Sequence, residues 1–464
     1  MQAALEGWAL GEADLVVDLL VLGAGMAGMT AAAYAAEHGL VVLVLEKQAR
    51  PGGSALLSGG GLWTARDLET LRRINPLGDP ARAAALIEGY DRVGGFIASL
   101  GTLITDRAVY EGTQSFPGWI RHLDVADWMR RAASSVQAAR GWIVTGSTLS
   151  SLLVDDGRIA GGVVASPDGE VTVRAGQVLI ATGGFQNSPE MRAEFLPGAG
   201  GGLITRSNPA SDGHGIGLGR TAGAALSEHM TGWYGHTVPY PVKTPLEQQD
   251  YIPLAQFFLS PRAVLLDRDG HRFTDESLGY YFNAQAVARL PEGRALIVFD
   301  DDLRVEDSER YGVDRWDFAR RRGANVAQAA TLEDLADAVM PWGYCGVVEA
   351  VAGYNSALAR DAALEPPRSA NRRPVEQPPF LAIEVQPAIT FTHGGLRADA
   401  SSRVLDGAGQ SIPGLLAAGA DAGGTYHEAY AGGLAMAAVF GLIAAETTLS
   451  TGRDGCVTGQ PVED

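Results

Sequence analysis

Apolar positions fall in short runs closed by glycines, with few long amphipathic stretches. Residues 18–22 (DLLVL) form such a run, followed by Gly23-Ala24-Gly25-Met26-Ala27-Gly28, an Ala-rich segment over 29–38, and Gly39. This order predicts strand, tight turn and helix. A second run over 40–45 (LVVLVL) ends at Glu46, 18 positions after Gly28, and completes a βαβ unit. Strand-like segments at 171–173 and 178–180 lead into Ala181-Thr182-Gly183-Gly184-Phe185, and residues 412–421 (IPGLLAAGAD) repeat a short strand running into small residues. The three glycine-rich strand ends, at Gly23, Gly183 and Gly419, are expected to converge on one nucleotide. Residues 429–445 are nearly all apolar but consist largely of Ala and Gly and lack basic flanks, which predicts a buried helix and no integral membrane segment.

The βαβ unit has the spacing of a dinucleotide-binding fold. Gly23 is expected to permit the tight turn, Gly25 to let the backbone approach a pyrophosphate, and Gly28 to let helix and strand pack closely. The helix N-terminus, at Ala27, would face the phosphates. Glu46 is suited to accept hydrogen bonds from ribose hydroxyls, and its charge disfavours a 2′-phosphate; Lys47 beside it joins the expected contacts. Gly52-Gly53-Ser54 and Ser58-Gly59-Gly60-Gly61 suit backbone lying against a flat ligand.

Composition narrows the class. A chain of 464 residues, at roughly 150 residues per domain, has room for two or three domains with cores of their own. The formal charge of -18 offers no global attraction to nucleic acid or anionic lipid. Cys345 and Cys456 stand outside any CxxC spacing, which argues against a disulfide framework, a zinc ribbon or a covalently attached c-type haem. Residues 1–14 hold three acidic residues and no Lys or Arg, unlike a secretory signal, so a cytoplasmic location is expected.

The order of GxGxxG, Glu46, PGGS, ATGGF, THGGL and IPGLLAAGA resembles the fumarate reductase and 3-ketosteroid dehydrogenase superfamily of FAD enzymes over nearly the whole chain. The resemblance implies an α/β fold: a Rossmann-like, glutathione-reductase-like FAD-binding domain with an inserted α+β capping domain. It also implies cofactor contacts from Ala181, Thr182, Gly184, Asp212, Gly419, Asp421 and Leu434. Relatives that attach FAD covalently do so through a His, where this chain has Gly53, so noncovalent FAD is expected. The FAD-binding domain would comprise 1–233 and 386–464, with the cap at 234–385.

Three positions bear on the chemistry. The segment Gly270-His271-Arg272-Phe273-Thr274-Asp275-Glu276 resembles the family's G-x-R-F-x-N-E motif, and four residues on stands Tyr280, where fumarate reductases carry a proton-delivering arginine and ketosteroid dehydrogenases a tyrosine. Tyr430 before Ala431-Gly432-Gly433 occupies the place of a substrate-clamping arginine, and Phe391 that of a substrate-binding histidine. With no cationic fork left there to offset carboxylate desolvation, a neutral cyclic ketone is the expected small-molecule substrate. It could still bear one carboxylate, because His393 and the Thr-Tyr-His-Glu run at 425–428 are also similar to tricarballylate-type dehydrogenases, and Ala420 departs from the family's flavin-contacting acid or amide.

In the expected reaction Tyr430 and the backbone N–H of Gly433 or Leu434 polarise the carbonyl, Tyr280 takes the α-proton with help from its surroundings, and a β-hydride passes to flavin N5. His393 is a further candidate at the site, and Tyr281, Phe116 and Trp119 are candidate pocket residues. The electron acceptor of the reduced flavin stays open. The competing expectation is a dehydrogenase or reductase of fumarate-, urocanate- or tricarballylate-like acids, with cationic clamps from Arg206 or Arg262.

Overall fold

A computed structural model describes residues 15–110, 116–166, 169–196 and 203–452; the segment 1–14 and Cys456 lie outside it. The elements that build the site are β1 (Leu15–Leu22), α1 (Met26–Glu37), β2 (Val42–Glu46), β3 (Trp142–Thr145), β4 (Gly169–Ile180), β5 (Trp233–Pro239), α2 (Tyr280–Ala288), β6 (Ala295–Asp300), β7 (Phe380–Thr392), β8 (Ser411–Ala417) and α3 (Gly433–Gly452). The architecture is mixed α/β. In an eight-stranded sheet, β1 lies between β2 and β4, with β3 beyond β2 and β8 beyond β4, all paired in parallel. Leu22 stands beside Leu45 and Ile180, and Ile180 beside Ala417. The three glycine-rich strand ends are therefore level, as their sequence pattern anticipates. A crevice at such carboxyl ends is where doubly wound sheets bind ligands.

The three glycines of the first turn are needed for three different reasons. Gly23 has φ +99°, and a Cβ there would sit 2.3 Å from the Ala181 carbonyl oxygen. At Gly28 a Cβ would come 1.9 Å from the Gly23 carbonyl oxygen and 3.0 Å from Val21, so only glycine lets α1 lie this close to β1. Gly25 faces open space, with nothing within 4 Å of a Cβ. Helix α3 follows the same small-residue logic: a Cβ at Gly441 would meet the Ala27 carbonyl oxygen at 2.3 Å, so α1 and α3 approach closely. The helix is long and apolar enough to cross a membrane, yet 56% of its most apolar stretch is buried inside the protein. A helix apolar on all sides is at home in such an interior.

A second sheet of six strands is organised by β7. Its first half pairs antiparallel with β6, from Asp300 beside Phe380 to Ala295 beside Val385, and its second half pairs with β5, from Val385 to Thr392. The boundary expected between 385 and 386 falls inside this unbroken strand. Opposite Tyr234 and Gly235 the register jumps from Phe391 to Ile389, leaving Thr390 as an extra, bulged residue. Bulges of this kind re-aim side chains beside sites.

The segment before α2 is pinned by buried charge. Glu276 is wholly buried and accepts from Arg272 at 2.6 and 2.9 Å and from Arg368 at 2.9 Å. Asp275, where the resembling motif has Asn, accepts from the backbone N–H groups of Ser277 at 3.0 Å and Ser369 at 2.9 Å, so acceptor capacity is what this position needs. Gly279, at φ 132°, then turns the chain into α2, which opens on Tyr280. Glu276→Gln leaves two guanidinium groups facing a neutral amide and is expected to destabilise the protein by about 3–5 kcal/mol, the usual cost of breaking a buried ion pair. Denaturant titration checks this, and an unchanged midpoint contradicts the assignment.

Candidate active site

A cavity of about 870 Å³ opens where the level strand ends meet β5, β7 and the first turns of α2 and α3. That is at the upper end of small-molecule sites. One part of its wall is glycine-rich and polar: Gly23, Gly25, Ala27, Glu46, Lys47, Gly53, Ser54, Ser58, Gly59, Ala181, Thr182, Gly183 and Gly419 all line it. The other part is aromatic and includes Trp63, Tyr110, Tyr234, Tyr251, Phe257, Tyr280, Phe391 and Tyr430.

The glycine-rich part fits a dinucleotide. Gly25 and Gly59 both leave open space where a side chain would stand. Helix α1 begins at Gly25 with no side-chain cap and no acidic residue in its first turn, so its leading N–H groups remain donors for an anion. The Ser54 hydroxyl is buried without a hydrogen-bond partner. Glu46 is held by the N–H of Ala24 on one oxygen, 2.9 Å, and of Gln48 on the other, 2.8 Å, with lone pairs left for hydroxyl donors. Gly53 carries no atom for covalent attachment.

Several expected contacts act one layer back. Asp421 is wholly buried and does not reach the cavity wall; it accepts from the Gly183 N–H at 2.7 Å, the Gly184 N–H at 3.2 Å and the Thr182 hydroxyl at 3.1 Å, and so shapes the strand end that does. Burial pushes its carboxyl up despite these donors. Asp212 holds Lys47 through a 2.6 Å ion pair. Gly60 and Gly184 lie behind the wall at positive φ, where a Cβ would strike the Leu123 carbonyl oxygen at 2.3 Å and the Thr392 hydroxyl at 2.9 Å.

In the aromatic part, Tyr430 stands two residues before the turn at Gly432, whose φ is +94° and whose Cβ would overlap the Trp63 carbonyl oxygen. The Gly433 N–H, at the start of α3, donates to the Tyr430 oxygen at 2.8 Å. That amide is therefore joined to Tyr430 and not parallel to it. Leu434 lines the cavity in the same first turn, where helix amides lack intrahelical acceptors. Tyr430 stacks on Tyr234, with ring centroids 3.6 Å apart and planes 19° apart. Tyr280 lies 3.0 Å from the Tyr234 hydroxyl, oxygen to oxygen. Burial drives Tyr280 and Tyr430 well above an ordinary phenol and Tyr234 up to about 12, so all three are neutral at pH 7.

Among the described residues one buried arginine belongs to this wall, and the exposed Arg310 also lines the cavity. Arg206 is 5% exposed, donates to the Tyr251 carbonyl at 2.9 and 2.6 Å and to the bulged Thr390 hydroxyl at 3.2 Å, and has no carboxylate partner among the described residues. Burial lowers its affinity for the proton. Arg262, the other cation considered, lies over the Phe258 ring at 4.0 Å, off the cavity wall.

Four expected pocket or catalytic residues are not brought to the wall. Trp119 donates to the Arg66 carbonyl and lies beneath Arg107 at 4.4 Å. Phe116 stands behind Trp63 at 6.2 Å. Tyr281 is wholly buried with its ring 6.4 Å from Tyr430. His393 is buried between Phe391 and Tyr426, and burial, helped by His427, drops its pKa to about 3. Sequence reasoning also passed over Tyr234 and His236. Their signal is faint, two ring-bearing polar residues at i and i+2 of one strand, and it acquires meaning only once Tyr280 is placed beside them.

The profile of the FAD binding domain family matches residues 18–85 and 96–434. The chain is 25% identical over 462 residues to fumarate reductase (cytochrome) of Shewanella frigidimarina, covering 93% of this chain and 76% of that protein. It is 27% identical to 4-oxocyclohexanecarboxylate 2-dehydrogenase of Sinomonas cyclohexanicum, covering 89% of each. Its fold is similar to that of 3-ketosteroid-Δ4-(5α)-dehydrogenase from Rhodococcus jostii RHA1, with a TM-score of 0.74 at 22% identity, over 95% of this chain and 98% of that one. With its parallel sheet, glycine cradle and aromatic cavity accounted for, the chain belongs to the FAD binding domain family and is an FAD-dependent oxidoreductase.

Proposed function

We propose that the protein binds FAD noncovalently and introduces an α,β double bond into a cyclic ketone. The observation that carries this reading is the Tyr430 hydroxyl: its oxygen already accepts the Gly433 N–H at 2.8 Å, so its own proton is left to donate into a cavity walled by neutral aromatics. A carbonyl oxygen is the acceptor such a donor suits. Burial keeps Tyr430 protonated through neutral pH and above, and the Gly433 amide at the positive end of α3 withdraws charge from its oxygen. Both effects strengthen the stabilisation of enolate character on the substrate oxygen.

Bound FAD supplies the two-electron acceptor that takes up the β-hydride. The chain's own residues handle the proton. Tyr280 is a neutral phenol whose hydroxyl adjoins that of Tyr234, so it takes an α-proton only if its own proton can shift along that contact. Phe391, Trp63 and Phe257 exclude water from the reacting carbons.

A second reading is supported by Arg206. A guanidinium this deeply buried without an acid is costly unless a ligand supplies the anion. This favours either a ketone that also bears a carboxylate, as in the substrate named for the Sinomonas relative, or a simple unsaturated or saturated carboxylic acid.

Anaerobic stopped-flow bleaching of the flavin separates the readings. The panel is saturated cyclic ketones, ketones carrying a ring carboxylate, succinate and tricarballylate. Bleaching by ketones, with or without the carboxylate, is expected, and bleaching by the simple acids alone overturns the proposal. Tyr280→Phe is expected to slow bleaching by roughly 10²-fold with FAD retained, the scale of lost acid–base help; wild-type rates remove Tyr280 from the reaction. Tyr430→Phe is expected to weaken ketone binding and slow bleaching together, and unchanged affinity places the carbonyl elsewhere.

A further inference from the structure

A chain of polar contacts continues past Tyr280 through Tyr234, which is stacked on Tyr430, to His236. The Tyr280 and Tyr234 oxygens are 3.0 Å apart, and the Tyr234 oxygen is 3.3 Å from Nε2 of His236. Stacking holds each member in place: Tyr234 on Tyr430 at 3.6 Å, and the His236 ring on the Tyr280 ring at 4.8 Å with planes 21° apart. His236 is 5% exposed, lines the cavity, and its Nδ1 has no hydrogen-bond partner. Nothing in the reaction proposed above uses this imidazole.

We propose that Tyr234 and His236 form the relay through which Tyr280 passes on the substrate's α-proton. The inference rests on the ketone reading. As the α-carbon's C–H bond breaks, a new O–H bond forms on Tyr280, the proton of Tyr280 moves to Tyr234, and the proton of Tyr234 moves to Nε2 of His236. The electron pair of the broken bond becomes the enolate, and the β C–H bond then breaks to leave the double bond, its hydride being what bound FAD would accept. No phenolate has to stand alone in the buried site. Burial, together with the charges of Arg206 and Arg315, holds His236 well below an ordinary imidazole. It is therefore neutral and able to accept at Nε2, and the same forces return the proton along the same contacts to solvent in the emptied cavity once product has left, instead of storing it. In the opposite direction the same wire would deliver a proton to an enone.

The first test needs no substrate: ¹⁵N NMR of histidine-labelled holoenzyme at pH 7, with the His236 signals assigned by their loss in His236→Gln. An unprotonated Nε2 whose shift moves in Tyr234→Phe is expected; a protonated Nε2, or one indifferent to Tyr234→Phe, overturns the relay. The second test follows wash-in of solvent deuterium at the α-carbon of a cyclic ketone by dithionite-reduced enzyme. Tyr234→Phe, which keeps the ring stack, and His236→Ala are each expected to slow exchange by roughly 10–10²-fold, with added imidazole restoring His236→Ala alone. Exchange within twofold of wild type in both variants overturns the proposal. If the wild type neither exchanges nor bleaches with any ketone, the ketone reading fails instead, and the NMR result still judges the hydrogen-bond chain.

Discussion

The thirteen-residue strand β7 decides where the two parts of the cavity meet. Its first half is bonded into the sheet with β6, and its second half runs along β5 to the wall. The bulge at Thr390 sits at the change of register, turning that hydroxyl toward Arg206 while Phe391 one residue on lines the aromatic part. Without the jump, Tyr234 and His236 would face partners shifted by one residue, and a one-residue slip reverses the face of every following side chain. The geometry of Tyr280, Tyr234 and His236 depends on that irregularity.

Desolvation sets the chemistry that the cavity can do. Three buried phenols, Tyr430 stacked on Tyr234 and Tyr280 edge-on to it, are each harder to ionise than a phenol in water, which makes them good neutral donors and poor bases. A site of this kind favours a substrate whose charge develops during the reaction over one that arrives charged on the reacting carbonyl. Arg206 is the counterweight, a buried cation at the margin of the same wall.

Much of the nucleotide half was legible from the chain alone, because its requirements are local. Gly23, Gly25 and Gly28 each answer a backbone demand that spacing reveals, and Glu46 ends a strand whose apolar run is unmistakable. The small-residue helix at the C-terminal end was legible for the same reason: Gly and Ala in a long apolar run signal close packing. The substrate half is assembled from residues far apart in sequence, and residue type says little about direction there. Trp119, Phe116 and Tyr281 were reasonable pocket candidates by type, yet each faces another layer, and His393 stands behind Phe391 although it is only two residues away. Asp421 was recognisable as important, but its partners, the Thr182–Gly184 amides and hydroxyl, are more than 230 positions away.

In the proposed reaction the neutral Tyr430 hydroxyl, with the Gly433 N–H on its oxygen, stabilises negative charge on the substrate's carbonyl oxygen. Titration of the oxidised holoenzyme with para-substituted phenols of falling pKa tests it directly, read by the long-wavelength charge-transfer absorbance of a bound phenolate. Affinity is expected to rise as the phenol becomes more acidic, and Tyr430→Phe to flatten the trend. Affinity independent of phenol acidity, or a trend that survives Tyr430→Phe, would contradict it.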